Sequence, residues 1–286
     1  MIKRLFSVTA STTLLLLSGY FLSACQSPPS TDIIKNVDLT ADAPLSTLLP
    51  VSDMQAKAII RKAYLAAGGD VWRRPQSLFM DGYAVFYREG VAVKNDRHRM
   101  WRVYDGGKRE AHSVDGKVRI LSERAGQPII NISYDGQTTY TPSGPQPKSE
   151  ADKQWSSSFG FGVIRHALDT GYNLERLPDD LIDSQPAFMV RVIDPNGGTT
   201  QFGIAQKDFR ILKVGFDTNR GWHERIYSNF FTNSGTGFEQ AWVQPGRVRL
   251  YYDGVKSNEV IWTSFSVNTS LPPCRFVLPE AQNCSG

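Results

Sequence analysis

The side chains best equipped for covalent chemistry in this 286-residue chain are its three cysteines, and they occupy two places. Cys25 ends an apolar run near the N-terminus, where a thiol can be acylated. Cys274 and Cys284 stand close together in a Pro-containing C-terminal segment, and in an oxidising compartment such a pair bridges, stapling the C-terminus locally. The four histidines, His98, His112, His166 and His223, lack the spacing to one another or to further ligands that a zinc site needs, so neither a metal nor another cofactor is expected. His98 lies among Arg97, Arg99 and Arg102, which reads as a solvated strand face. His223 and Glu224 would point to opposite faces of a strand and cannot pair directly. Asp179, Asp180 and Asp183 beside Pro178 read as loop charges rather than an acid pair. No Gly-x-Ser-x-Gly elbow, His-Glu-x-x-His, Gly-x-x-x-x-Gly-Lys or dinucleotide fingerprint occurs, and an enzyme is not expected.

The segment that presents Cys25 has a form of its own. Lys3 and Arg4 precede an apolar run at 13–22, with leucines at 14–17, that is too short to cross about 30 Å of hydrocarbon as a helix and reads as a signal peptide. It ends in Leu22-Ser23-Ala24-Cys25, which resembles the lipobox of bacterial lipoproteins. The resemblance implies removal of residues 1–24 and attachment to a membrane through lipid on Cys25, with three acyl chains, beyond the two-signal requirement for stable anchoring. Gln26, rather than Asp, resembles the signal for onward transport to the outer membrane, facing the periplasm; the periplasmic side of the inner membrane is the alternative. Cleavage takes Lys3 and Arg4 off the 32 basic residues and leaves all 28 acidic ones, a net charge of +2. No basic run or basic helix face stands out, so nucleic acid is not an expected partner.

Residues 25–52, rich in Ser, Thr, Pro and Asp, read as the lipidated N-terminus and a flexible tether. The first regular element is a helix over about 53–67, capped by Ser52 or Asp53, with Ala56, Ile59, Ile60, Ala63 and Tyr64 at helical spacing and Gly68-Gly69 as its stop. Strands follow at about 77–88, 96–104, 108–114, 117–123, 129–134, 137–141, 186–194, 199–206, 210–217, 222–232, 246–252 and 256–268. The dipeptides Asp105-Gly106, Asp115-Gly116, Asp135-Gly136, Asn196-Gly197 and Asp253-Gly254 tolerate the positive φ of tight turns, so successive strands should be antiparallel neighbours. Asp81-Gly82 falls inside a strand and marks a bulge or a close backbone approach. Between the strand groups, 149–168 carries Trp155, Phe159, Val163 and Ala167 at helical spacing but also Gly160 and Gly162, which predicts a broken or two-piece element, either a movable lid or a fixed packing piece.

Several strands are apolar on both faces. In the first, Phe79, Tyr83, Val85 and Tyr87 share one side and Met80, Ala84 and Phe86 the other; in the last, Ile261, Phe265 and Val267 oppose Val260 and Trp262. Such a sheet needs two covers. One is expected to be helices; the other could be a second sheet, a partner, or a ligand inside a curved sheet.

The order of helix, long meander, helical insertion and further strands, with Gly68-Gly69 and Tyr134-Asp135-Gly136-Gln137, resembles the LolA and LolB lipoprotein carriers and their wider superfamily. The closing stretch is the most similar: Pro245-Gly246-Arg247-Val248-Arg249-Leu250-Tyr251-Tyr252-Asp253-Gly254, a strand ending in Val267-Asn268, then Leu271-Pro272 and Phe276 up to Pro279. The resemblance implies an α+β fold over 53–279, a strongly curved antiparallel half-barrel with covering helices, and leaves 280–286 as a C-terminal tail. It implies a cavity for a hydrophobic ligand, a lipid or the acyl chains of a lipoprotein, bound or transferred without chemistry. Tyr83, Val85, Tyr87, Arg99, Trp101, Phe188 and Trp262 are the ligand-contacting residues expected, with Arg99 and Arg102 at the rim for an anionic headgroup. The alternative is a non-catalytic envelope scaffold that binds another envelope protein. The two differ in whether the inward positions are close-packed or line a void.

Overall fold

The computed structural model describes residues 54–107, 111–148, 155, 158–233, 241–279 and 284. The leader, Cys25, the tether and, apart from Cys284, the tail at 280–286 lie outside the described residues. A first helix, α1 (Ala56–Ala67), is followed directly by the short α2 (Gly69–Arg73). Thirteen strands follow among the described residues: β1 (Ser77–Arg88), β2 (Val91–Val103), β3 (Lys117–Arg124), β4 (Gln127–Tyr134), β5 (Thr139–Thr141), β6 (Gly144–Pro145), β7 (Asn173–Ile182), β8 (Gln185–Ile193), β9 (Thr199–Ala205), β10 (Ile211–Thr218), β11 (Gly221–Asn233), β12 (Trp242–Tyr252) and β13 (Val255–Val267). They form one open sheet in the order β6-β5-β4-β3-β2-β1-β13-β12-β11-β10-β9-β8-β7, antiparallel throughout. The chain thus meanders outward from β1 to one edge, restarts at the other edge with β7, and meanders back until β13 pairs with β1.

The sheet is curved, and the packing of α1 shows it. That helix packs against β12 and also against β7 and β8. In a flat sheet β12 and β7 would be about 24 Å apart, twice the roughly 10–12 Å width of a helix. The sheet must curl for one helix to touch both. The face of α1 that does so, Ala56, Ile59, Ile60, Ala63 and Ala67, is buried against Phe188, Val190, Val192, Phe202, Ile204, Val214 and Phe216.

Most of the expected strands are present with corrected ends, with two larger differences. No strand occupies 111–114, of which 111–113 are turn and bend, while 108–110 lie outside the described residues; Asp105-Gly106 and Asp115-Gly116 both belong to the one long connection from β2 to β3. β7 is a strand where loop charges are expected. It is an edge strand, and its register against β8 shifts between Leu177 and Asp180, where Pro178 has no ladder hydrogen bond to give. Asp179 is buried there, accepting hydrogen bonds from Arg176 and from Gln206 Nε2. In the insertion, expected as a broken or two-piece element, a 3₁₀ turn covers Gly160–Arg165, as two glycines among six residues would favour; residues 149–154 and 156–157 lie outside the described residues. At the start, α1 is preceded by Gln55 with no side-chain cap; Ser52 and Asp53 lie outside the described residues.

The other face of the sheet is covered by the C-terminus. Phe276, in the 3₁₀ turn Pro273–Phe276, packs with Trp101, Leu121, Phe79 and Leu271 over β1–β3, and Ser133 Oγ donates to its carbonyl at 3.0 Å. A disulfide joins Cys274 to Cys284, with Cα atoms 5.8 Å apart.

Candidate ligand-binding cavity

Helix α1 fills only the concave surface over β7–β12. Over β1–β4 and β11–β13 the same surface is left as a cavity of about 1120 Å³, above the usual ~300–1,000 Å³ of small-molecule sites. The pairing register explains its lining. Met80, Met100, Ile120 and Ile132 stand opposite one another across β1, β2, β3 and β4, so they form one apolar row on the inner face. Leu78, Phe86, Val248, Leu250, Val260 and Trp262 extend it.

Between two of the lining residues lies Gly82. It pairs with Trp262 on one side and His98 on the other, at a register shift in both ladders. A Cβ on Gly82 would lie 1.9 Å from the Ile261 carbonyl oxygen, so only glycine lets β1 and β13 approach this closely. With no side chain between them, the rings of Trp262 and His98 meet above Gly82 at 5.3 Å. The shift inserts an extra residue at Thr263 and changes the inward parity of β13. Phe265 and Val267 stand opposite Met80 and Leu78 and so share the inner face with Val260 and Trp262 instead of opposing them.

Of the residues expected at a ligand, Trp262 lines the cavity. Tyr83, Val85 and Tyr87 occupy the alternate positions of β1 and face away from it; Lys94 sits 4.7 Å from the Tyr83 ring and Lys256 Nζ donates to Tyr87 Oη at 3.1 Å. Arg99 pairs with Glu123 at 2.5 Å on the outer face, and Trp101 stacks on Phe79 under the C-terminal segment. Phe188 belongs to the close-packed core beneath α1. Of the two arginines proposed at the rim, Arg102 is inside and Arg99 outside. His98 is not on a solvated face: it is buried, and burial pushes its pKa down to about 4, so the ring is neutral.

Polar groups gather at one end of the cavity, brought there by segment 158–172 lying over β2, β11 and α2. Arg102 is buried, with Nη2 donating to the Asp115 carbonyl at 3.1 Å and its guanidinium 4.7 Å from the Tyr104 ring and 4.9 Å from Phe159. Arg165 is buried among Trp72 (5.0 Å), Tyr104 (5.1 Å), Phe161 and Trp242. Arg225 donates to His223 Nε2 at 2.9 Å and to the Ser158 carbonyl at 2.5 Å. His223 receives that bond as a neutral ring, its pKa lowered to about 3 by burial and then by the Arg225, Arg220 and His112 charges. Burial also lowers the Arg102 pKa, and the Arg165 and Arg225 charges add to this, while Tyr104 and Asp115 oppose it. Leaving a buried cation without a counter-charge costs several kcal/mol, and aromatic faces return only about 0.5–2 kcal/mol each. Arg165 and Arg225 could not be found from sequence, because they lie on segments far apart in the chain; Arg102 could, since it alternates in phase with His98 and Met100.

Among the described residues no group of three or more His, Cys, Asp or Glu is placed to hold a metal ion, and no helix is long and apolar enough to cross a membrane. No protein-family model matches the chain and no curated protein matches it. Among solved structures it is similar to a LolA superfamily protein from Nitrosomonas europaea, with a TM-score of 0.46 and 15% identity over 78% of this chain and 97% of that one. A candidate outer membrane lipoprotein-sorting domain from Vibrio parahaemolyticus gives 0.44 and 15% over 78% and 97%. A DUF1329 family protein from Desulfovibrio piger gives 0.46 and 10% over 77% and 96%.

Proposed function

We propose that this protein is a membrane-anchored, non-catalytic binder of acyl chains, holding a lipid or the lipid of an acylated protein on the concave face of its sheet. The cavity of about 1120 Å³ carries this reading. A protein that needed the concave face only as a core would fill it, since interiors pack at crystal-like density; here α1 fills one part and leaves the part floored by Met80, Met100, Ile120 and Ile132 unfilled. Burying a few hundred Å² of apolar ligand there at about 25 cal/mol per Å² gives useful affinity once ordering costs are subtracted. Trp262 and its neighbours on the inner row make the contacts. Methionines suit chains of varied shape, because the thioether side chain adapts to irregular gaps.

Leu22-Ser23-Ala24-Cys25 supports lipid attachment at Cys25, and Gln26 supports residence at the outer membrane on its periplasmic face. Residues 25–52 would then let the domain reach away from the membrane to load or unload. Native mass spectrometry from detergent micelles, on full chain expressed with its own leader and recovered from outer membranes, tests both parts together. A mature N-terminus at Cys25 carrying acyl mass, with a second, non-covalent lipid lost on activation, is the expected result. An acylated protein with an empty cavity would reject the binding reading and favour the envelope scaffold.

A further inference from the structure

Five arginines of the outer face are ion-paired. Arg97 meets Asp81, Arg99 meets Glu123, Arg191 meets Glu175, Arg247 meets Glu259 and Arg249 meets Asp183. Four arginines line the cavity; Arg220 lies over the Tyr252 ring at 3.9 Å, and the other three gather at the polar end. Arg102, Arg165 and Arg225 belong to no ion pair among the described residues. Arg102 and Arg165 are nonetheless more than nine-tenths buried, at 8% and 9% exposure, and the Nε of each is shut off from water with no hydrogen-bond partner. They converge: the guanidinium groups of Arg102 and Arg165 lie on the same Tyr104 ring, and Arg102 and Arg225 contact the adjacent residues Phe159 and Ser158. All three line the cavity. Carboxylates near the cluster are otherwise engaged: Asp169 pairs with Arg73, and Asp115 Oδ1 accepts from the backbone of Asp105 and Gly106.

We infer that Arg102, Arg165 and Arg225 form a built anion site, completed by the carboxylate or phosphate headgroup of an amphiphile whose acyl chain lies along the Met80–Met100–Ile120–Ile132 row. The inference rests on the acyl-binding reading and adds to it the charge and orientation of the ligand. Guanidinium groups suit both anions, because their planar donors match two oxygens at once. The aromatic walls hold the cations in place before the anion arrives, and the anion relieves their mutual repulsion. A neutral lipid of the same length would fill the apolar part and leave the cluster uncompensated.

The test uses the chain without residues 1–25, since Ala43–Gly286 is one compact unit and contains every residue of the cavity. Its probes are dansyl-undecanoic acid and the methyl ester of that acid. Wild type is expected to bind the acid about tenfold or more tighter than the ester, the worth of a charged hydrogen-bonded contact. Arg102→Met and Arg165→Met should each bring the acid-to-ester ratio toward one without lowering the Tm of the ligand-free protein, and Arg102→Lys should restore part of the ratio. Arg99→Met, on the outer face, should change nothing. Equal binding of acid and ester by wild type, or Met variants that keep the ratio or lose Tm, would overturn the anion site while leaving the cavity reading intact. Failure to bind either probe sinks the cavity reading itself. Lysophosphatidic acid should displace the bound acid at concentrations where inorganic phosphate does not; equal displacement by phosphate would make this a site for a free anion and overturn the amphiphile.

Discussion

At the scale of single residues, what a side chain can do here is set by which face of the sheet it occupies. His98 and Arg99 are neighbours in sequence, yet one is a buried neutral ring against Trp262 and the other an ion-paired surface cation. The consequence for His98 is measurable. Its folded pKa, about 4, lies below the ordinary 6.5 because burial disfavours the charged ring. The unfolded chain therefore binds the proton first, so the contribution is fully present above about pH 6.5 and is lost as pH falls toward 4, on the order of 3 kcal/mol in all. Thermal unfolding between pH 7.5 and 4.5 should show wild type losing more stability than His98→Gln. Parallel slopes for the two proteins would mean that His98 does not remain neutral in the fold. Much of the residue-level reading was open to alternation alone, as the inward phase of Met80, Ala84 and Phe86 illustrates. It broke at bulges, which no periodicity reports: the extra residue at Thr263 moves Phe265 and Val267 to the inner face.

At the scale of elements, the join between β1 and β13 matters most, because it closes the two meanders into one sheet. Gly82 sits at that join, and its lack of a Cβ is what allows the approach to Ile261. Gly82→Ala should therefore cost about 4 kcal/mol or more, at the severe end for a single substitution, read as a large fall in Tm or loss of soluble protein. Gly162→Ala is the comparison: a Cβ there meets nothing within 4 Å, and the change should be neutral or slightly stabilising. A mild Gly82→Ala variant would show that β1 and β13 can separate at little cost. Most strands were legible because turn dipeptides and alternation agree. β7 was not, since Glu175, Arg176, Pro178, Asp179 and Asp180 look like a loop, and only an edge position with a bulge lets such a segment pair.

At the scale of the whole molecule, the feature that carries the proposed function is a volume that α1 does not fill. Filling it artificially separates a void from a core. Met100→Trp combined with Val260→Trp should abolish uptake of a fluorescent fatty acid while leaving Tm unchanged or raised. In a close-packed interior each enlargement would instead cost about 1–3 kcal/mol, so a marked drop in Tm would show that these positions are already packed.

The sequence by itself determined most of the strands, the close approach at Gly82 and the pair that became the Cys274–Cys284 disulfide, because each is written in short stretches whose local chemistry has few alternatives. It also implied a sheet with two apolar faces. Only the tertiary structure decided which cover lies on which face: the stapled C-terminus on the outside, over Trp101 and Phe79, and α1 with the cavity on the inside. It alone brought Arg165 and Arg225 to Arg102. Sheet curvature, register shifts and the meeting of segments more than a hundred residues apart depend on summed packing over the whole domain, and no local stretch of the chain encodes that sum.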